Sequence, residues 1–134
     1  MIKKIVASGK RKTSVARAIL VEGSGKMSIN EKDYKTIHVF DKLKLEEPIR
    51  IAEQILGKID FDVLISVKGG GEKSQIEAAR VALSKAIIKF PNSKELSGAF
   101  LNYDRNLLVA DVRRKEVCKP GDSRARAKRQ SSKR

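Results

Sequence analysis

The chain carries one cysteine, one histidine and no tryptophan in 134 residues. With Cys118 alone no intrachain disulfide can form, and with no second cysteine beside His38 no zinc cluster can assemble. Cys118 therefore reads as a thiol without special role. Aromatic residues make up only 4% of the sequence, and most of them fall at expected core positions, so recognition of bases by stacking on an exposed sheet lacks its usual side chains. No apolar run reaches membrane-spanning length. The opening Met1-Ile2-Lys3-Lys4-Ile5-Val6 has no apolar h-region, so no signal peptide is expected. A surface-bound amphipathic helix is also disfavoured, because from Ser123 onward the only apolar residues are Ala125 and Ala127.

The missing charge sign matters most. The last dozen residues, SRARAKRQSSKR, contain no acid. From Arg113 to the end the net charge is +8 of the chain's +14, so more than half of the excess lies in the terminal sixth. Such a segment has nothing bulky and apolar to bury, and its like charges repel, so it cannot fold onto its own body. Ordering it costs roughly 1 to 2 kcal/mol per residue in backbone entropy, which only a partner offering many phosphates at once can offset. A crowded, folded nucleic acid fits that requirement. We therefore expect a compact body over residues 1–116, large enough for a core of its own, and an extended basic tail over residues 117–134.

Patterning along the body predicts strands over residues 2–8 and 14–22, joined by the loop Gly9-Lys10-Arg11-Lys12-Thr13. That run of three cations is either a solvated turn or an RNA contact, and its company with the basic tail favours the second. Gly23-Ser24-Gly25 turns the chain into a short strand over residues 26–29, and an irregular, partly helical stretch follows. Pro48 sits well in the first turn of a helix ending at Gly57. Phe61, Val63, Ile65 and Val67 alternate with Asp62, Leu64, Ser66 and Lys68 in the strongest strand pattern of the chain. After Gly69-Gly70-Gly71, Ser74 and Glu77 have capping-box spacing for a long helix stopped by Pro91, with Arg80, Lys85 and Lys89 on its exposed side. A shorter helix spans residues 93–103, with Leu96, Ala99, Phe100 and Tyr103 at core spacing. A last strand is expected over residues 107–114. The order predicts an α+β fold, one sheet covered by helices on one face.

Catalytic chemistry finds no residues. Gly25-Lys26 is followed by Met27 where a P-loop requires Ser or Thr, the triple glycine lacks the dinucleotide spacing, and nothing assembles a nucleophile, a base and an oxyanion hole. No cofactor or metal is expected. The stretch from Gly69 to Ser74 reads equally as an anion site at a helix start or as a tight connection that admits no bulky residue.

Gly9-Lys10-Arg11-Lys12-Thr13 followed by Ala16-Arg17-Ala18, Ile29-Asn30, Gly69-Gly70-Gly71 followed by Gln75, Ala78, Ala79, Arg80 and Ala86, Tyr103-Asp104-Arg105, and Arg126-Ala127-Lys128-Arg129-Gln130 with a terminal arginine together resemble the universal small-subunit ribosomal protein S-nine family in its archaeal form. The resemblance covers essentially the whole chain. It implies a body similar to the second domain of ribosomal protein S-five, one mixed sheet with helices on one face, seated in the head of the small subunit on the 3′ part of its rRNA among neighbouring head proteins. It implies too a tail that threads through rRNA to the anticodon stem-loop of P-site tRNA. Carried over, Lys133 and Arg134 face tRNA, while Arg124, Arg126, Lys128 and Arg129 thread rRNA. Lys10, Arg11, Lys12, Thr13, Arg113 and Arg114 touch rRNA, and Arg17, Gly69, Gly70, Gly71, Arg80, Arg105 and Lys119 complete that set. Neither a membrane nor a small-molecule substrate is implied, and the location is cytoplasmic. Glu31 stands where the family commonly has glycine, Val112 where its archaeal form often has proline, and Lys133 where it often has tyrosine. Charge by itself also permits a DNA-packing protein, which would track with the nucleoid instead of with small subunits, and, further off, a nucleotide-handling enzyme dependent on Gly69 to Gly71.

Overall fold

The computed structural model describes residues 3–121 and 124–126. Five strands form one sheet: β1 (Lys4–Arg11), β2 (Ser14–Glu22), β3 (Met27–Ile29), β4 (Lys32–Asp33) and β5 (Phe61–Lys68). Their order across the sheet is β1-β2-β5-β3-β4, antiparallel throughout except that β3 runs parallel to β5. The fold is thus α+β with one sheet, as the patterning predicts, and the sheet is mixed, as the resemblance implies. Three helices, α1 (Val39–Leu56), α2 (Glu72–Lys89) and α3 (Lys94–Tyr103), cover one face.

The alternation in β5 is realised without slippage, with Phe61, Val63, Ile65 and Val67 buried and Leu64, Ser66 and Lys68 exposed. Against that row lies α2, which is buried on more than the single stripe that its periodicity shows. Ala78, Ala79, Ala82 and Ala86 are inaccessible: α2 packs on the sheet with one side and on α1 and α3 with the other. Small residues let it come close. A side chain at Gly9 would collide with the Ala78 carbonyl and the Ala82 nitrogen, so this strand glycine marks an approach of two backbones rather than a loop.

Five expectations of the fold are corrected. First, β1 runs through Gly9, Lys10 and Arg11, paired with Ala16, Val15 and Ser14, and the five-residue loop shrinks to the turn Lys12-Thr13. Second, α1 begins at Val39 and holds Pro48 in its interior. Asp41, Leu45, Pro48 and Ala52 form its buried face, and the polar Asp41, bonded to Lys73 Nζ at 3.0 Å through both oxygens, hid the period. Third, Ser74 occupies the third helical position instead of the cap. Its hydroxyl accepts from the Gly71 N–H at 3.1 Å, while Glu77 turns to Arg11. Fourth, residues 107–114 are not a strand. Leu107 is buried at the end of a 3₁₀ turn (Arg105–Leu107), the N–H groups of Leu108 and Val109 are taken by the Arg105 carbonyl, and Asp111 accepts from the Arg113 N–H at 2.9 Å. These local acceptors occupy the donors that a ladder would need. Fifth, Tyr103, placed at core spacing, is 58% exposed, because α3 ends there and Leu107 fills the interior instead.

Candidate nucleic-acid interface

One end of the body brings together Arg11, Lys12, Arg113 and Arg114 among the cationic residues that the sequence singles out. The tight β1–β2 turn puts Lys12 and Thr13 at the tip, both exposed. On one side they share with Arg11, Arg113, Arg114 and Lys115 a depression of about 700 Å³ that no acid lines. On the other they share a second, of about 500 Å³, with Gly71, Glu72, Lys73 and Ser74 at the start of α2. Two segments far apart in sequence thus present one cationic rim. Lys12 holds φ at +52°, a region that disfavours residues with a side chain. A strained, exposed lysine at the tip of a cationic rim is a candidate for a binding role.

The glycines divide by cause. Gly69 and Gly70 have φ of +77° and +66°, and side chains there would strike the Thr13 carbonyl and the Ser14 hydroxyl. Packing alone demands both. Gly71 has an ordinary φ of −95° and open space around its α-carbon. Glu72 already lies in the first turn of α2, where a carboxylate meets part of the helix's positive end, so the tight-connection reading accounts for more of this stretch than the anion-site reading.

Behind the rim lies an ion-pair network. Arg11 Nε donates to Glu77 at 2.6 Å, and its Nη2 lies 3.5 Å from Asp111. Arg113 donates to Asp111 through Nε at 3.0 Å and Nη2 at 2.7 Å. The Arg113 hydrogen bonds, first those of its side chain and then that of its backbone, with Arg11 adding its charge, hold the Asp111 carboxyl far below the usual carboxylate range, and Asp111 in turn raises Arg113. Arg80, expected on the exposed side of α2, is covered: it bonds Glu47 through Nη2 and Asp104 at 3.3 Å, and its side chain is 16% exposed. The reason is that α2 is flanked by α1 and the 3₁₀ turn, whose acids reach it first.

The remaining expected residues are dispersed. Lys10 and Arg113 line a smaller cavity of about 150 Å³ together with Arg11 and Arg80. Arg17 stands exposed in mid-sheet, between Ser8 and Ser66 in register, and Arg105 is exposed on the 3₁₀ turn. Lys119 and Arg124 are exposed, and Arg126 Nε donates to Glu116 at 2.8 Å. Lys128, Arg129, Lys133 and Arg134 lie outside the described residues. Motif reasoning passed over Lys115 and Lys73, although Lys115 directly continues Arg113-Arg114. No group of three or more His, Cys, Asp or Glu is placed to hold a metal among the described residues.

A small α+β body with exposed cations on a strand turn and along residues 113–115, ahead of a basic C-terminal segment, has the charge pattern found in polyanion-binding proteins. The family can be given. Residues 9–134 match the family model described as ribosomal protein S9/S16. Among curated proteins the chain is 53% identical over 127 residues to small ribosomal subunit protein uS9 of Methanococcus vannielii, covering 92% of this chain and 93% of that one. It is 42% identical over 130 residues to the uS9 of Thermoplasma volcanium, covering 96% of each, and 41% identical over 132 residues to that of Methanothrix thermoacetophila, covering 98% of each. The chain belongs to the ribosomal protein S9/S16 family, as the resemblance carried by its motifs implies.

Proposed function

We propose that this chain is a non-enzymatic constituent of the small ribosomal subunit, in the cytoplasm, where the rim around Lys12, Arg114 and Lys115 binds the 3′ part of the small-subunit rRNA. The tail over residues 117–134 threads the surrounding RNA and brings Lys133 and Arg134 to the anticodon stem-loop of P-site tRNA. The observation that carries the reading is the meeting of Lys12, Arg114 and Lys115 at an acid-free depression at the root of a segment whose last dozen residues have no acid. Phosphates fit that chemistry, and the scarcity of exposed aromatics directs recognition to backbone and shape. Charge alone would equally serve a DNA-packing protein; family membership favours the ribosome.

Deleting Lys133 and Arg134 tests the tail. Subunits are expected to assemble, with P-site tRNA bound more weakly or initiation less accurate. Unaltered tRNA binding and initiation would remove the tail's role.

A further inference from the structure

The helices occupy one face of the sheet, and the opposite face has an aliphatic content that binding at the cationic rim leaves unused. The register lines its side chains up in rows. Val6, Ile19 and Leu64 lie opposite one another across β1, β2 and β5, with Val6 47% and Leu64 55% exposed. Beside that apolar row runs Ser8–Arg17–Ser66, and beyond it Lys10–Val15–Lys68, with Val15 46% exposed. On the other side, Lys4 stands opposite Val21, which stands opposite Asp62. The Asp62 carboxylate is already used, accepting from the Ser24 and Lys26 N–H groups at 2.9 Å each. Lys4, Lys10, Arg17 and Lys68, by contrast, are all exposed. Toward β3 the face sinks into two depressions that share Leu64 and Ser28, of about 380 and 900 Å³, and Glu31 stands at their rim.

Charge and shape together select the occupant. A second copy of the chain would set cation against cation. The chain's own last dozen residues, acid-free, meet the same repulsion. RNA would answer the four cations but leave the aliphatic row against phosphate and ribose, and the aromatic that lines its depressions, Tyr34, is half-buried and already faces the Lys42 ammonium. We propose that the open sheet face of β1, β2 and β5 is a protein-docking surface, which takes a segment of another small-subunit protein carrying aliphatic side chains flanked by carboxylates. Aliphatics of that segment cover Val6, Ile19 and Leu64, and its acids meet Lys4, Lys10, Arg17 and Lys68 at the polar margin. The inference rests on the ribosomal reading above, keeps its RNA contacts at the rim and the C-terminal segment, and gives Lys10 and Arg17, which the resemblance assigns to rRNA, to a protein partner instead.

The test uses assembled small subunits treated with a zero-length carboxyl-to-amine cross-linker and analysed by peptide mass spectrometry. Lys4, Lys10 and Lys68 are expected to join to Asp or Glu side chains of one other subunit protein. Leu64→Glu, and independently Val6→Glu, should each cut those cross-links about tenfold, the loss expected on removing a central contact of an interface. Both positions are exposed, so the chain should keep its melting temperature and its place in the subunit through the RNA contacts at the other end. The inference is overturned if ultraviolet light cross-links this face to rRNA. It is also overturned if Lys4, Lys10 and Lys68 are acetylated in the subunit as fast as in the free protein, or if both substitutions leave the cross-links unchanged. If the chain is missing from small subunits altogether, the ribosomal reading itself fails and this inference goes with it.

Discussion

Glu31 shows how a single backbone angle can be tested. Asn30 and Glu31 form a two-residue turn between β3 and β4, with φ of +47° and +68°, the pattern of a type I′ turn that prefers Asn-Gly. Asn30 suits its place, its Oδ1 accepting from the Val67 N–H at 2.8 Å. Glu31 stands where the resembled family commonly has glycine, and the left-handed region costs a residue with a side chain roughly 1 to 2 kcal/mol. Glu31→Gly should therefore stabilise the protein by about 1 kcal/mol in urea unfolding. The triple glycine gives a contrast within one motif. Gly70→Ala, strained in φ and driven against the Ser14 hydroxyl, should destabilise by about 2 kcal/mol or more, whereas Gly71→Ala should cost under about 1. Asp111 supplies the pH dependence. Its folded pKa lies below the unfolded value of about 4, so its contribution to stability is complete above that value and is lost as pH falls through the folded one. In an NMR titration its carboxyl midpoint should lie below 4, as no ordinary exposed carboxylate does, and Arg113→Gln should move it upward.

The elements differ in how far their sequence gave them away, and the reason is where each finds its partners. Strand β5 was legible because both of its faces are simple, one all apolar and one largely polar. α3 was legible through the core spacing of Leu96 and Phe100, both buried, although its last expected core residue, Tyr103, proved exposed. α1 was half hidden: a proline that belongs at a helix start sits instead on a buried face, and the Asp41 that would have extended the period is made tolerable only by Lys73 from another helix. The end of β1 was misread because Gly9 answers to α2, which no local pattern reveals. In the candidate interface, the cations of the β1–β2 turn and of residues 113–115 were readable as charge. Their meeting was not, nor was the diversion of Arg11 and Arg80 to Glu77, Glu47, Asp104 and Asp111. That diversion carries a prediction of its own. Asp111→Asn weakens the link between β1 and the segment after the 3₁₀ turn, so amide exchange over residues 108–115 should quicken while that of β5 stays unchanged.

Across the molecule, charge is divided by location and by use. Acids inside the body neutralise the arginines that brace its elements. Lys12, Arg114 and Lys115 gather at the turn tip and just after Arg113, a smaller set margins the open sheet face, and the last dozen residues carry no acid at all. Binding that rests on about six tail cations should weaken roughly a thousandfold between 50 and 200 mM salt. Lys12, Arg114 and Lys115 add the rim's share, and the most direct measurement compares salt dependence with and without them. The dissociation constant for the 3′ part of small-subunit rRNA is followed from low to high salt for the intact chain and for the variant Lys12→Ala, Arg114→Ala, Lys115→Ala. The logarithmic slope should become shallower by about two to three counterions while the fold persists. An unaltered slope at unaltered stability would mean that phosphates do not sit on this rim.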